Sequence, residues 1–260
     1  VTFEFHKYHG TGNDFILISD LSSEFPGDNV ELIRHLCERR FGIGADGLIL
    51  IRKYPDMDFR MIYYNADGRE GSMCGNGGRC AVAFAYRMGL CGEASTFIAT
   101  DGTHLAKIID PDHIQLKLRS VSDVRVLSDH YELDTGSPHY VTFVKAVEEV
   151  DVYTLGRKIR LSNAFRAKGI NVNFVEQEPG RVFVRTYERG VENETWSCGT
   201  GVVASAICAA LRDPSEPSGY QVRTRGGDLH VSFRREGENQ FRNIILEGPA
   251  EFVYQGSFET

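Results

Sequence analysis

The sequence has no apolar run approaching the ~20 residues that a bilayer-spanning helix needs, which argues against a helical membrane protein. It has no basic block or stripe either, and a net charge of -7 argues against general nucleic-acid binding. The opening stretch VTFEFHKYHGTGNDF lacks a charged segment followed by an apolar one, so no secretory signal is expected. The expected location is therefore cytoplasmic. The cysteines avoid the short C-x2-4-C spacing of zinc sites: five residues separate Cys74 from Cys80 and nine separate Cys198 from Cys208. GIGADG, residues 42–47, follows no β-α-β pattern of the dinucleotide type and suits a turn. No metal, flavin, nicotinamide or other cofactor is expected.

What is present is a chain of 260 residues, enough for one large domain or two ordinary ones. Its six cysteines need not form a disulfide framework in a chain of this length, and free thiols in a reducing compartment are expected. TFEF, DFILIS, GLILI and FRMIYY carry strand patterns. DNVELIRHLCERRFG predicts a helix capped by Asp28 or Asn29, with Val30, Ile33, Leu36 and Cys37 on one face. Arg39 and Arg40 would suit its negative end, with Gly42 just beyond.

The stretch SMCGNGGRC, residues 72–80, places a cysteine before a run of glycines at the start of an apolar helix that Gly89 ends. SCGTG, residues 197–201, repeats Cys-Gly-x-Gly ahead of a second apolar helix, stopped before Pro214. Each is followed by a hairpin signal, at Asp101-Gly102 and Gly226-Gly227, 27 residues after Cys74 and 28 after Cys198. Upstream, RMIYYNADG corresponds to RVFVRTYERG, and Asn13-Asp14-Phe15 has a weaker counterpart in Asn173-Phe174. The chain therefore reads as a duplicated α+β unit, each half a curved sheet or barrel around one central helix. The expected halves are residues 1–118 and 119–260, the closing strand AEFVYQG being a candidate to pair with the first half.

Glycines after a cysteine let a ligand approach the backbone. At a helix start, free N–H groups and the positive end of the dipole sit beside the sulfur, which favours the reactive thiolate. The same N–H groups hold a carboxylate. Two such sites facing one ligand could remove a proton from a carbon beside a carboxylate and return one to the opposite face, inverting its configuration. A single cysteine at a helix start is ordinarily a small core residue, but packing gives no reason for the same motif twice. Cys37, Cys80, Cys91 and Cys208 lie in or beside apolar helical stretches and read as structural.

HGTGNDF, FGIGADG, NADGREGSMCGNGGR, SPHYV, GINVNF, YERGVENETWSCGTG and GGDLHV together resemble the diaminopimelate epimerases over essentially the whole chain. That family interconverts LL- and meso-2,6-diaminopimelate without a cofactor. The resemblance implies two pseudo-symmetric domains with the active site in the interdomain cleft, and Cys74 and Cys198 as acid and base. It implies Gly75, Asn76, Gly199 and Thr200 as the cradle of the reacting carboxylate, and Asn13, Asn65 and Asn171 as substrate-binding asparagines. Glu188 suits a substrate ammonium and Arg189 a distal carboxylate, and the resemblance gives His139 and Glu188 a part in tuning the cysteines. Three positions depart from the family pattern. Ser137 stands where many relatives have Asn, Gly47 where some have Gln, and Thr200 replaces a common Ser.

The implied partner is a small-molecule substrate, with no nucleic acid and no membrane, and a homodimer is compatible with this reading. Lysine and cell-wall precursor synthesis is the implied setting. Two alternatives stay open on the residues alone: a proline racemase or hydroxyproline epimerase, which also uses two cysteines, and a thiol redox sensor.

Overall fold

The computed structural model describes residues 1–213 and 218–260. Pro214, the expected helix stop, lies outside the described residues. In chain order the first elements are β1 (Thr2–Gly10), β2 (Asn13–Ser19), α1 (Val30–Cys37), β3 (Gly47–Tyr54), β4 (Met57–Asn65) and α2 (Gly75–Arg87). There follow β5 (Ala94–Ala99), β6 (Gly102–Asp110), β7 (His113–Lys117), β8 (Val124–Val126), β9 (Tyr131–Asp134) and β10 (Pro138–Phe143). The remainder are α3 (Val152–Arg160), β11 (Asn171–Glu178), β12 (Arg181–Glu188), β13 (Asn193–Thr195), α4 (Gly199–Arg212), β14 (Gly219–Thr224), β15 (Gly227–Arg235), β16 (Phe241–Pro249) and β17 (Glu251–Glu259). None of these helices is long and apolar enough to cross a membrane among the described residues.

The chain forms two compact units, Val1–Leu116 with Gly248–Thr260, and Lys117–Glu247. Residues 248–260 thus join the first unit rather than the expected half 119–260, because β17 pairs antiparallel with β1 from Thr2↔Glu259 to His9↔Glu251.

In the first unit β1 pairs with β2, β2 runs parallel to β3, β3 antiparallel to β4, β4 parallel to β5, and β5, β6 and β7 follow antiparallel. The uninterrupted apolar runs FILI and LILI arise because β2 and β3 are covered on both faces. Ile16, Ile18, Leu48 and Leu50 pack with Ile33 and Leu36 of α1. Phe15 and Ile49 lie on the other face, where a Cβ on Gly77 of α2 would be 3.5 and 3.1 Å from their tips. The α2 helix is buried from Gly75 to Ala85, which is why no polar face is readable in its sequence.

The second unit repeats this plan. β9, β10, β11, β12, β14, β15 and β16 pair in the order and sense of β1 to β7. The bridge Val121↔Phe241 and the bond from Leu118 N–H to Ile244 C=O tie the unit's first residues to β16. α4 is buried on nearly every side, and Val202, Val203 and Ile207 pack with Val141, Val175, Val184, Val222 and Leu246.

Register fixes the correspondence between the units. Phe15 pairs with Gly47 across β2 and β3 as His139 pairs with Asn171 across β10 and β11. Cys74 and Cys198 cap α2 and α4. One shift of 124 residues relates all three pairs, from Phe15 to His139, Gly47 to Asn171 and Cys74 to Cys198 (198 − 74 = 124). The counterpart of Asn13 is therefore Ser137, and the counterpart of Asn173 is Ile49. This corrects the expected match of Asn13-Asp14-Phe15 with Asn173-Phe174, since those segments lie on strands that are not equivalent.

Candidate active site

Both cysteines of the repeated motif occupy the residue just before a buried helix. Cys74 precedes α2 with extended backbone (φ −108°, ψ 126°) and Cys198 precedes α4 likewise (φ −120°, ψ 106°). Each carbonyl starts its helix, accepting from Gly78 N–H at 2.7 Å and from Val202 N–H at 2.8 Å. Neither cysteine side chain caps its helix. Cys74 is half-buried and Cys198 buried. Burial holds the other four sulfurs as thiols, pushing Cys37 up to about 12 and raising Cys80, Cys91 and Cys208.

In the first half-site the Cys74 thiol donates to Asn13 Oδ1 at 3.6 Å, and Asn76 Nδ2 donates to the same oxygen at 3.3 Å. Both amides have fixed orientation. Asn13 Nδ2 donates to the Asp46 carboxylate at 2.8 Å, and Asn76 Oδ1 accepts from Arg79 Nη2 at 3.0 Å. Arg79 is fully buried and also donates to the carbonyls of Gly75 and Pro249, each at 3.3 Å. Burial lowers it to about 10, which leaves it cationic at neutral pH. Asp46 is held by Arg39 at 2.8 Å, and Arg39 also forks onto Asp14 at 2.7 and 2.9 Å.

In the second half-site Thr200 Oγ1 lies 3.6 Å from Cys198 Sγ and 3.0 Å from His139 Nε2. His139 is fully buried, and burial pushes it down to about 3, so it is neutral. Its Nδ1 lies 3.0 Å from Asn173 Nδ2. Asn171 accepts the Arg189 backbone N–H on Oδ1 at 2.8 Å. The Glu188 carboxylate accepts from Thr195 Oγ1 at 2.9 Å.

The structure thus brings Cys74, Gly75, Asn76 and Asn13 together in one unit, and Cys198, Gly199, Thr200 and His139 together in the other. Asn65 is exposed at the end of β4, and Arg189 is exposed with its guanidinium donating to Lys168 C=O at 3.3 Å. Gly47 has no room for a side chain, since a Cβ there would lie 2.5 Å from the Tyr63 ring and 2.6 Å from Tyr64 C=O. Sequence reasoning passed over Arg79, Asp46 and Asn173. The period of two along GINVNF puts Asn171 and Asn173 on one face of a strand, but it does not say which strand lies beside them.

The fold is shared with solved structures of low sequence identity. A phenazine biosynthesis protein of the PhzF family from Bacillus anthracis superposes with a TM-score of 0.75 at 13% identity, covering 100% of both chains. A probable proline racemase from Agrobacterium radiobacter K84 gives 0.70 at 15%, covering 99% of this chain and 92% of that one. The duplicated unit of this fold carries a cysteine at the head of each buried helix.

The chain belongs to the diaminopimelate epimerase family, whose profile matches residues 5–120 and 131–253. Similar proteins include the diaminopimelate epimerase of Flavobacterium psychrophilum, 48% identical over 96% of this chain and 98% of that protein. The diaminopimelate epimerase of Chlorobaculum tepidum is 41% identical, covering 95% and 98%.

Proposed function

We propose that this protein interconverts LL- and meso-2,6-diaminopimelate by cofactor-independent proton transfer between Cys74, Cys198 and one substrate α-carbon. The observation that carries this reading is the thiol heading a buried, glycine-started helix in each unit of a family member. One sulfur, as thiolate, takes the α-proton as the C–H bond breaks. The other, as thiol, delivers a proton to the opposite face as the new C–H bond forms. The substrate leaves inverted, the two sulfurs have exchanged protonation states, and no net proton is consumed. First-turn N–H groups of Gly75, Asn76, Gly199 and Thr200 would take the carboxylate whose charge grows in the carbanion-like intermediate. Asn13, Asn65 and Asn171 would fix the polar ends, Glu188 an ammonium, and Arg189 the distal carboxylate. As a step of amino-acid biosynthesis, the reaction belongs in a reducing cytoplasm, which suits six free thiols.

The test is α-deuterium incorporation from D2O into both isomers by reduced protein with nothing added. Exchange with inversion is expected. Cys74→Ala and Cys198→Ala should each lower turnover by about 10³-fold or more, within the range for losing a positioned acid or base. Full two-way exchange in either variant would end the two-base mechanism. Turnover of proline instead of diaminopimelate would move the protein to the proline racemase type. Folded protein inert toward both would favour a thiol sensor.

A further inference from the structure

The two half-sites share a backbone but not a polarity. In the first unit the positions under the helix start are apolar, Phe15 and Ile49, and both are fully buried. Their counterparts in the second unit are His139 and Asn173, equally buried. A buried amide and imidazole in place of two hydrocarbons must have every hydrogen bond directed.

Asn173 leaves no freedom in that direction. Its Oδ1 accepts from Thr186 Oγ1 at 2.9 Å, and its Nδ2 donates to Tyr140 C=O at 3.0 Å, a group that can only accept. The amide nitrogen is therefore the atom facing His139 Nδ1 at 3.0 Å, so Nδ1 accepts. A neutral imidazole that accepts on Nδ1 carries its proton on Nε2. Nε2–H then donates to Thr200 Oγ1 at 3.0 Å, and the hydroxyl's own proton is left to point at Cys198 Sγ at 3.6 Å.

We propose that Asn173 is the positioning residue that sets proton direction at Cys198. By fixing the His139 tautomer it makes the Thr200 hydroxyl a donor to the sulfur, so Cys198 is held as the thiolate of the pair. Cys74 has the opposite arrangement. Asn13 is oriented by Asp46 so that its oxygen faces the sulfur, and an oxygen acceptor favours S–H. The free protein therefore starts with Cys198 as base and Cys74 as acid. No covalent step is involved, only the choice of which sulfur keeps the proton. This inference rests on the proposed two-thiol function for its purpose, though not for its test.

The test reads the ligand-free protein. Nitrogen-15 NMR of wild-type His139 is expected to show the Nε2–H tautomer, and an Nδ1–H tautomer would overturn the proposal at once. Asn173→Asp replaces the donor toward Nδ1 by an acceptor and should move the His139 proton to Nδ1. Alkylation by iodoacetamide, mapped by mass spectrometry with Cys74 as internal reference, should then slow at Cys198 by about tenfold, the usual worth of a hydrogen bond to a charged group. Unchanged relative reactivity at Cys198 would sink the relay. Should Asn173→Asp not fold, Thr200→Val removes the last donor without touching the imidazole. It should slow Cys198 alkylation equally, with Thr200→Ser restoring it, and wild-type rates in Thr200→Val count against the proposal. Turnover adds a separate reading: kcat should fall in Asn173→Asp while KM stays within about twofold, as expected when an interaction specific to the transition state is lost. Correct tautomer and alkylation results with no diaminopimelate turnover would reject the proposed function and leave the relay standing.

Discussion

At the scale of single residues, the glycines after each cysteine separate the two half-sites experimentally. A Cβ on Gly201 would lie 2.4 Å from Asn173 Oδ1, an atom locked by Thr186. A Cβ on its counterpart Gly77 would meet the Ile49 Cδ1 methyl at 3.1 Å, the movable tip of an aliphatic chain. Gly201→Ala should therefore destabilise the protein by about 2–3 kcal/mol and Gly77→Ala by less than about 1, following the usual cost of overpacking. Urea midpoints of the two variants check the difference, and equal losses would contradict it. The cysteines and their glycines were legible because the motif occurs twice. Asn173 was not, because its meaning depends on which strand pairs with which: read along the chain it resembled the partner of Asn13. Only the parallel register of β10 with β11 puts it beside His139.

At the scale of elements, charge decides one boundary that apolar spacing missed. The first helix was expected to run on toward Gly42, with Arg39 and Arg40 at its negative end. It stops at Cys37, and Arg39 is drawn onto Asp14 of β2 and Asp46 before β3. Lys7 of β1, itself buried, closes the cluster at 2.6 Å from Asp14. Burial pushes the Asp14 carboxyl upward, but hydrogen bonds and charge from Arg39 and Lys7 outweigh it and hold it well below the usual carboxylate range. A carboxylate depressed in the folded state stabilises that state above its unfolded value, about 3.9 for Asp, and the contribution is lost as pH falls through the folded value. Asp14→Asn should thus lose stability at neutral pH, and its gap to wild type should narrow as the solution is acidified below about pH 4. Denaturant midpoints measured against pH check the sign, and a gap that widens in acid would refute it. The helix α3 went unread for a related reason. Gly156 interrupts its pattern, and that glycine is required because a Cβ there would lie 2.4 Å from Tyr187 Cβ.

At the scale of the whole molecule, the duplication was readable from spacing alone, because hairpin and cysteine recur at nearly equal offsets in both halves. The ownership of the last strand was not, since alternation along AEFVYQG says nothing about which sheet accepts it. Its pairing with β1 predicts that removing residues 251–260 strips a long row of hydrogen bonds from the first unit. Hydrogen exchange should then show protection lost from residues 1–116 well before residues 117–247, whereas uniform loss would argue that the units unfold as one. The same pairing has a consequence for biosynthesis. The second unit is continuous in sequence and has all its strands once residue 249 has emerged, but the first unit cannot complete β1 until β17 follows. At about 5–20 residues per second, β1 waits roughly 10–50 s on the ribosome with one edge unpaired. The half of the protein made first is therefore finished last, and its nascent edge is where a chaperone or a neighbouring chain would find it.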